Sequence, residues 1–254
     1  VRKQPISAFL ILCILTASGA EAAWSDSCRP ISHSAASYLD RANANKLRGN
    51  VVAAIADLDT AIAFEPECSG LYLERGNARK AKGDLRGAIA DYDKAIELDP
   101  NSEEAYYNRG TTRHLVGALD EALADFDKAI EIKPHWAWPF NNRGAVWYAK
   151  GDLDRAIGDY SKAIEADPRL HKAYNNRGLA RLEKGDKGGA LKDAFSAIRI
   201  SPEFAPAYVT RGLVRLLEGK TDDAERDFAR CLKLDATLAP FLARRVEELK
   251  RQPD

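Results

Sequence analysis

Two series of charged residues are the first candidates for chemistry. Arginines recur at Arg41, Arg75, Arg109, Arg143, Arg177 and Arg211, and aspartates at Asp57, Asp91, Asp125, Asp159, Asp193 and Asp227, both at intervals of 34 residues. A guanidinium and a carboxylate hold each other in a forked geometry, so the two rows predict an Arg–Asp ladder within or between neighbouring elements. The alternative is an arginine row that takes phosphate or carboxylate ligands. Catalytic patterns are missing. His33, His114, His135 and His171 form no H-E-x-x-H, and the cysteines form no C-x-x-C of the kind that holds zinc. Gly219-Lys220-Thr221 resembles the end of a phosphate loop, but Val214 stands where the loop's first glycine belongs. The expectation is a chain that is not an enzyme and needs no cofactor or metal.

The elements that must position these rows follow from the same period. Prolines fall at 66, 100, 134, 168 and 202; glycines at 49, 83, 117, 151, 185 and 219, and again at 76, 110, 144, 178 and 212, with Ala42 in the first copy. Small residues recur at Ala54, Ala88, Ala122, Ala156, Ala190 and Ala224, and at Ala61, Ala95, Ala129, Ala163, Ala197 and Cys231. Several series on one period mark a tandem array. Each copy reads as two helices. Glu103 to Val116 stops at Gly117, and Leu119 opens a second helix whose Leu123, Phe126 and Ile130 share one stripe until Pro134 ends it.

With these residues in place, the chain resembles the tetratricopeptide repeat family. Counting from Ala35, the aromatic at position 4 is Tyr38, Tyr72, Tyr106, Phe140, Tyr174 and Tyr208, and Gly, Ala and Pro fall at the family's positions 8, 20, 27 and 32. Position 24 holds Leu58, Tyr92, Phe126, Tyr160, Ala194 and Phe228, so the first and fifth copies depart, and Ala236 stands where the sixth copy would have proline. Arg at position 7 is a systematic departure from the family's usual Leu. The resemblance implies an all-α, right-handed helical-hairpin repeat solenoid. Six repeats would cover 35–238, after a lead-in at 23–34 and before a capping helix and tail at 239–254. In the last segment Phe241, Leu242, Val246 and Leu249 form an apolar face, and Arg244, Arg245, Glu247, Glu248, Lys250 and Arg251 a charged one.

Family geometry further implies that the first helices line a concave surface. Positions pointing into it carry Tyr107, Asn108, His114, Trp138, Asn141, Asn142, Tyr148, Lys172, Asn175 and Asn176. Asparagine both donates and accepts toward a peptide backbone, and Tyr and Trp add apolar area with a polar handle. The carboxylate clamp of chaperone-binding members is not expected, because Tyr107, Thr111 and Asn176 occupy three of its five places. The expected function is a non-catalytic protein–protein interaction scaffold that binds an unidentified protein or peptide. A self-assembling envelope module working through convex or end faces, and so a homo-oligomer, is the alternative.

Location is read from the first residues. Arg2 and Lys3 precede a 13-residue apolar run ending at Ser18, and Ala20-Glu21-Ala22 follows. These are the parts of a signal peptide spanning 1–22, so the expected destination is periplasmic or secreted. The run is too short to span a bilayer, which takes about 20 residues, and no integral span is expected. Lys plus Arg equals Asp plus Glu at 38 each, which argues against nucleic acid as the partner. Once Cys13 leaves with the signal, Cys28 and Cys68 fall at the same end of the first hairpin. They either pair, as an oxidising compartment favours, or remain two free thiols, whereas Cys231 replaces a packing alanine and is expected to be buried.

Overall fold

A computed structural model describes residues 32–250. The expected signal peptide at 1–22, most of the expected lead-in, Cys28 and the tail 251–254 lie outside the described residues. Within them the chain is all-α, with thirteen helices, one 3-10 turn and no strand. It divides into two compact units that meet in sequence between Pro134 and His135.

The first unit holds three hairpins: α1 (His33–Leu47) with α2 (Val51–Phe64), α3 (Ser69–Lys82) with α4 (Leu85–Leu98), and α5 (Glu103–Leu115) with α6 (Leu119–Ile132). The second holds α7 (Ala137–Ala149) with α8 (Leu153–Ala166), α9 (His171–Glu183) with α10 (Lys187–Ile200), and α11 (Ala205–Leu217) with α12 (Thr221–Leu234). A 3-10 turn at Ala236–Leu238 then leads to α13 (Ala239–Lys250). Inside each unit the two helices of a hairpin pack on one another, and each second helix packs on the first helix of the next hairpin.

Local chemistry sets the boundaries. Every first helix stops at a glycine in the left-handed region, with φ from 74° at Gly219 to 88° at Gly83, where a side chain would be strained. The N–H after that glycine reaches back to the helix, as Asp84 does to the Arg79 carbonyl at 2.9 Å. Asp84, Asp152 and Asp186 then cap the second helices, accepting from the N–H three residues on at 2.9, 3.0 and 2.8 Å. Second helices end two residues before each proline, which cannot continue the hydrogen-bond ladder.

Packing assigns each periodic small residue a neighbour. The alanines at positions 20 and 27 and Cys231 are buried on the second helices. Burial pushes the pKa of the Cys231 thiol up to about 11, with Asp235 adding to the effect, so it is a poor nucleophile at neutral pH. The first-helix glycine faces the position-24 ring of its own hairpin. A methyl group at Gly144 would lie 2.9 Å from Tyr160, and one at Gly212 only 2.4 Å from Phe228. The ring within the hairpin is what requires this glycine. Where Ala194 replaces the ring, Gly178 keeps its nearest neighbour, the Ala190 carbonyl, at 3.3 Å.

This contrast makes a prediction at one repeat position. Gly144→Ala must displace Tyr160 and should cost about 1–3 kcal/mol. Gly178→Ala should come close to neutral, because a mid-helix alanine gains up to about 1 kcal/mol over glycine. Urea midpoints of the two variants check it; equal losses would refute the ring contact as the cause.

Candidate functional site

All six Arg–Asp pairs form, each within its own hairpin. The Arg Nε or Nη2 donates to the carboxylate at 2.9 Å for Arg41–Asp57, 2.7 Å for Arg75–Asp91 and 2.6 Å for Arg109–Asp125. The second unit repeats this at 2.7 Å for Arg143–Asp159, 2.8 Å for Arg177–Asp193 and 3.0 Å for Arg211–Asp227. Every one of these aspartates is at least 95% buried.

Three components of the ladder were not read from the sequence. A second cation stands at position 11, one helical turn past the first. Arg79, Arg113, Arg181 and Arg215 donate to the other carboxylate oxygen at 2.9, 2.8, 2.7 and 2.8 Å. Asn45 does so at 2.9 Å in the first hairpin, whereas Trp147 takes the place in the fourth, with Arg155 over its ring at 4.5 Å. The position-4 rings lie under the position-7 guanidinium groups in all six copies, from 4.8 Å for Tyr38–Arg41 to 5.7 Å for Tyr174–Arg177. An acceptor at position 25 of the preceding hairpin takes a further N–H: Asp59 from Arg75 at 2.7 Å, Asp93 from Arg109 at 2.6 Å, and Ser161 from Arg177 at 3.0 Å. Both the second arginine series and the position-25 series run on the period of 34, and that period is the signal that could have found them.

Electrostatics agrees with the geometry. Burial opposes the charge on Arg75, but the hydrogen bonds it donates to Asp91 and Asp59 outweigh that and raise its pKa above the ordinary arginine value. At the outer end, Arg41 holds the Asp57 pKa below the usual carboxylate range. The ladder is thus a network within each hairpin that extends to the preceding one through Arg75, Arg109 and Arg177.

The opposite side of the first helices differs. Residues two apart on a helix project about 200° apart, so Asn175 and Leu179 face away from Arg177 and Arg181. In the second unit this side carries a buried amide network. Asn141 donates from Nδ2 to Asn142 Oδ1 at 3.0 Å, Asn176 from Nδ2 to Asn141 Oδ1 at 3.0 Å, and Thr210 from its hydroxyl to Asn175 Oδ1 at 2.8 Å. Asn175 Nδ2 and Asn176 Oδ1 are buried without a hydrogen-bond partner. Lys172 lies over the Trp138 ring at 5.4 Å, and the pKa of the Tyr148 hydroxyl is raised by burial and then by Glu183. In the first unit, Lys80 donates to Asn108 Oδ1 at 3.0 Å, and Lys46 pairs with Glu74 at the same repeat positions. Burial pushes the Lys80 pKa down to about 8 and that of His114 down to about 4. Tyr107 is buried against the Phe126 ring, 6.1 Å between centroids.

The structure therefore brings Asn141, Asn142, Asn175 and Asn176 together with Thr210, which sequence reasoning had not named. No group of His, Cys, Asp and Glu among the described residues could hold a metal ion, and no helix there is long and apolar enough to cross a membrane.

The ladder predicts a coupled response. Asp193→Ala leaves Arg177 and Arg181 facing a vacated site and should cost about 3 kcal/mol, the scale for breaking a buried pair. Replacing both Arg177 and Asp193 by Leu should recover part of that loss in a double-mutant cycle. Additive, near-zero effects on the urea midpoint would exclude the structural ladder.

Comparisons with known proteins fit this architecture. Family models match at 76–117 and 146–185 ("TPR repeat") and at 103–135 ("Tetratricopeptide repeat"). Among solved structures, MamA is similar at 27% identity and a TM-score of 0.56, over 65% of this chain and 96% of that one. YrrB, described as a TPR protein with an unusual peptide-binding site, aligns at 22% identity and a TM-score of 0.57, over 75% and 97%. PilF of Pseudomonas aeruginosa aligns at 14% identity and a TM-score of 0.72, over 84% and 97%. No curated relative matches the sequence. The period, the hairpin geometry, the family-model matches and the solved neighbours together support the tetratricopeptide repeat family for this chain.

Proposed function

We propose that the protein is a non-catalytic interaction scaffold that binds a peptide or protein segment through the concave, first-helix side of its second unit. The scaffold role follows from the repeats and their neighbours, since proteins of this fold generally act without catalysis. The observation that carries the finer reading is the pair of unpartnered buried amide atoms, Asn175 Nδ2 and Asn176 Oδ1. One is a donor and the other an acceptor; Asn175 turns toward α11 and Asn176 toward α7, both at most 2% exposed, so each answers one polar group of a bound segment that parts the first helices. A buried polar atom left without a partner costs about 1–3 kcal/mol, which a bound backbone would return. Trp138 and Lys172 beside them offer an aromatic face and a cation. The YrrB description supports the same use of this fold.

The location belongs to this reading too. The charged start, apolar run and Ala-x-Ala triplet support export to the cell envelope. That Cys68 is disulfide-bonded, not free, supports its pairing with Cys28. Mass mapping of native, non-reduced protein tests both at once: a start near Ala23 and a Cys28–Cys68 linkage are expected, and an intact Val1 with two alkylatable thiols would overturn them.

Binding is tested by capture from the native envelope with wild-type protein and with Asn175→Ala plus Asn176→Ala. Loss of a polar partner predicts at least about ten-fold weaker retention of the captured segment, measured where both proteins remain folded, because the variant also loses the Asn141–Asn176 and Asn175–Thr210 bonds and its urea midpoint falls. Equal retention by both proteins would sink the amide site.

A further inference from the structure

The last helix does not simply extend the stack. Without proline at 236, the chain after α12 makes a 3-10 turn in which Asp235 accepts from the Thr237 N–H at 2.9 Å, and Leu238 and Leu242 bury into the terminal core. From there α13 reaches back. Arg245 donates from Nη2 to Glu183 Oε1 at 3.2 Å, on the last turn of α9, and Phe241 packs against the apolar cluster that holds Tyr148 and Leu179. Leu179 and Glu183 continue the α9 stripe that begins with Asn175, one and two turns further on. Arg245, expected on the solvent face, is instead drawn inward: its side chain is 16% exposed and Glu183 is 20% exposed, because four residues place Arg245 directly above Phe241.

We infer that α13 is a tethered ligand of the first-helix side of the second unit: this surface takes an amphipathic helix whose arginine meets Glu183 and whose aromatic, four residues earlier, packs beside Tyr148 and Leu179. In the free chain α13 fills that place, and a partner segment with the same aromatic–arginine chemistry gains access by displacing it. The inference rests on the reading of this side as the binding surface and adds what the partner must carry there. Two features separate this contact from ordinary end capping. It uses an ion pair 62 residues apart in sequence, and α13 packs against α11 and the terminal core while Phe241 and Arg245 reach on to α9. Arg245 Nε also remains buried without a partner, while Nη1 donates to Glu248 Oε2 at 3.0 Å and Nη2 to Glu183, so the arginine is held between the two carboxylates at the expense of part of its solvation.

The test uses the full chain in three forms: wild type, Arg245→Glu, and Arg245→Glu combined with Glu183→Arg. Leu238 and Leu242 stay in all three, and the doubly reversed form restores opposite charges, so misfolding is told apart from release. Amide exchange over 239–249 should quicken about ten-fold in Arg245→Glu and return in the double variant. A fluorescent synthetic peptide of residues 237–250 should bind Arg245→Glu about ten-fold more tightly than the other two. Unchanged exchange in Arg245→Glu, or one peptide affinity for all three proteins, would overturn the inference. Neither readout involves Asn175 or Asn176, so failure of the amide site shows in the capture experiment and failure of the tethered helix shows here.

Discussion

Midway along the second helix of every hairpin sits an aspartate removed from water, and a buried carboxylate is tolerated only when donors reach both oxygens. The rest of each hairpin is arranged around that requirement. The position-7 arginine supplies the forked contact, and a second donor one turn later takes the other oxygen, with Trp147 the departure in the fourth copy. The ring at position 4 covers the guanidinium from the far side. Since each first helix offers its donors at one rotation only, satisfying the carboxylate fixes the rotation and axial register of the two helices together. The small residues follow: with the helices held in that register, glycine alone leaves room for the ring of Tyr92, Phe126, Tyr160 or Phe228.

That commitment of one side of the first helix frees the other. Arg177 and Arg181 are bound to Asp193, so on α9 only the side of Asn175, Asn176, Leu179 and Glu183 remains for other partners. Part of it is closed by amide-to-amide bonds between neighbouring first helices, and part by α13. Asn175 Nδ2 and Asn176 Oδ1 lie buried within it, each without a hydrogen-bond partner. Structural charge and candidate binding chemistry thus share helices without sharing a face. This is also why the interior arginines of the row, attractive as an anion site when seen alone, are committed to their aspartates.

The ends of the ladder show what the interior copies supply. Among the described residues Arg41 meets no position-25 acceptor, and its side chain is 62% exposed, against 16% for Arg75. At the other end the missing proline changes the exit of the chain. A proline-terminated second helix delivers the next first helix after a short turn; Ala236 permits a 3-10 turn instead, and α13 leaves in a direction that carries Phe241 and Arg245 back over α9.

Much of the fold was legible in the sequence because a repeat writes the same packing problem six times. The period, the helix stops at Gly49 to Gly219, the pairing of the two charged rows and the apolar face of α13 all depend on spacing along one chain, which spacing can reveal. The Asn141–Asn176 and Asn175–Thr210 bonds could not be read there, since they depend on which atoms of successive first helices come within 3 Å after the hairpins have stacked. The inward turn of Arg245 was equally hidden: helical periodicity assigned it to a charged face, and only the direction in which α13 leaves the 3-10 turn brings Glu183 to meet it. Sequence alone determined the repeating unit and the pairing of its two charged rows, because those are short-range consequences of helix geometry and charge. Which hairpin each pair closes, the unpartnered amide atoms and the course of α13 were decided by the tertiary structure, because they arise only once the helices have packed.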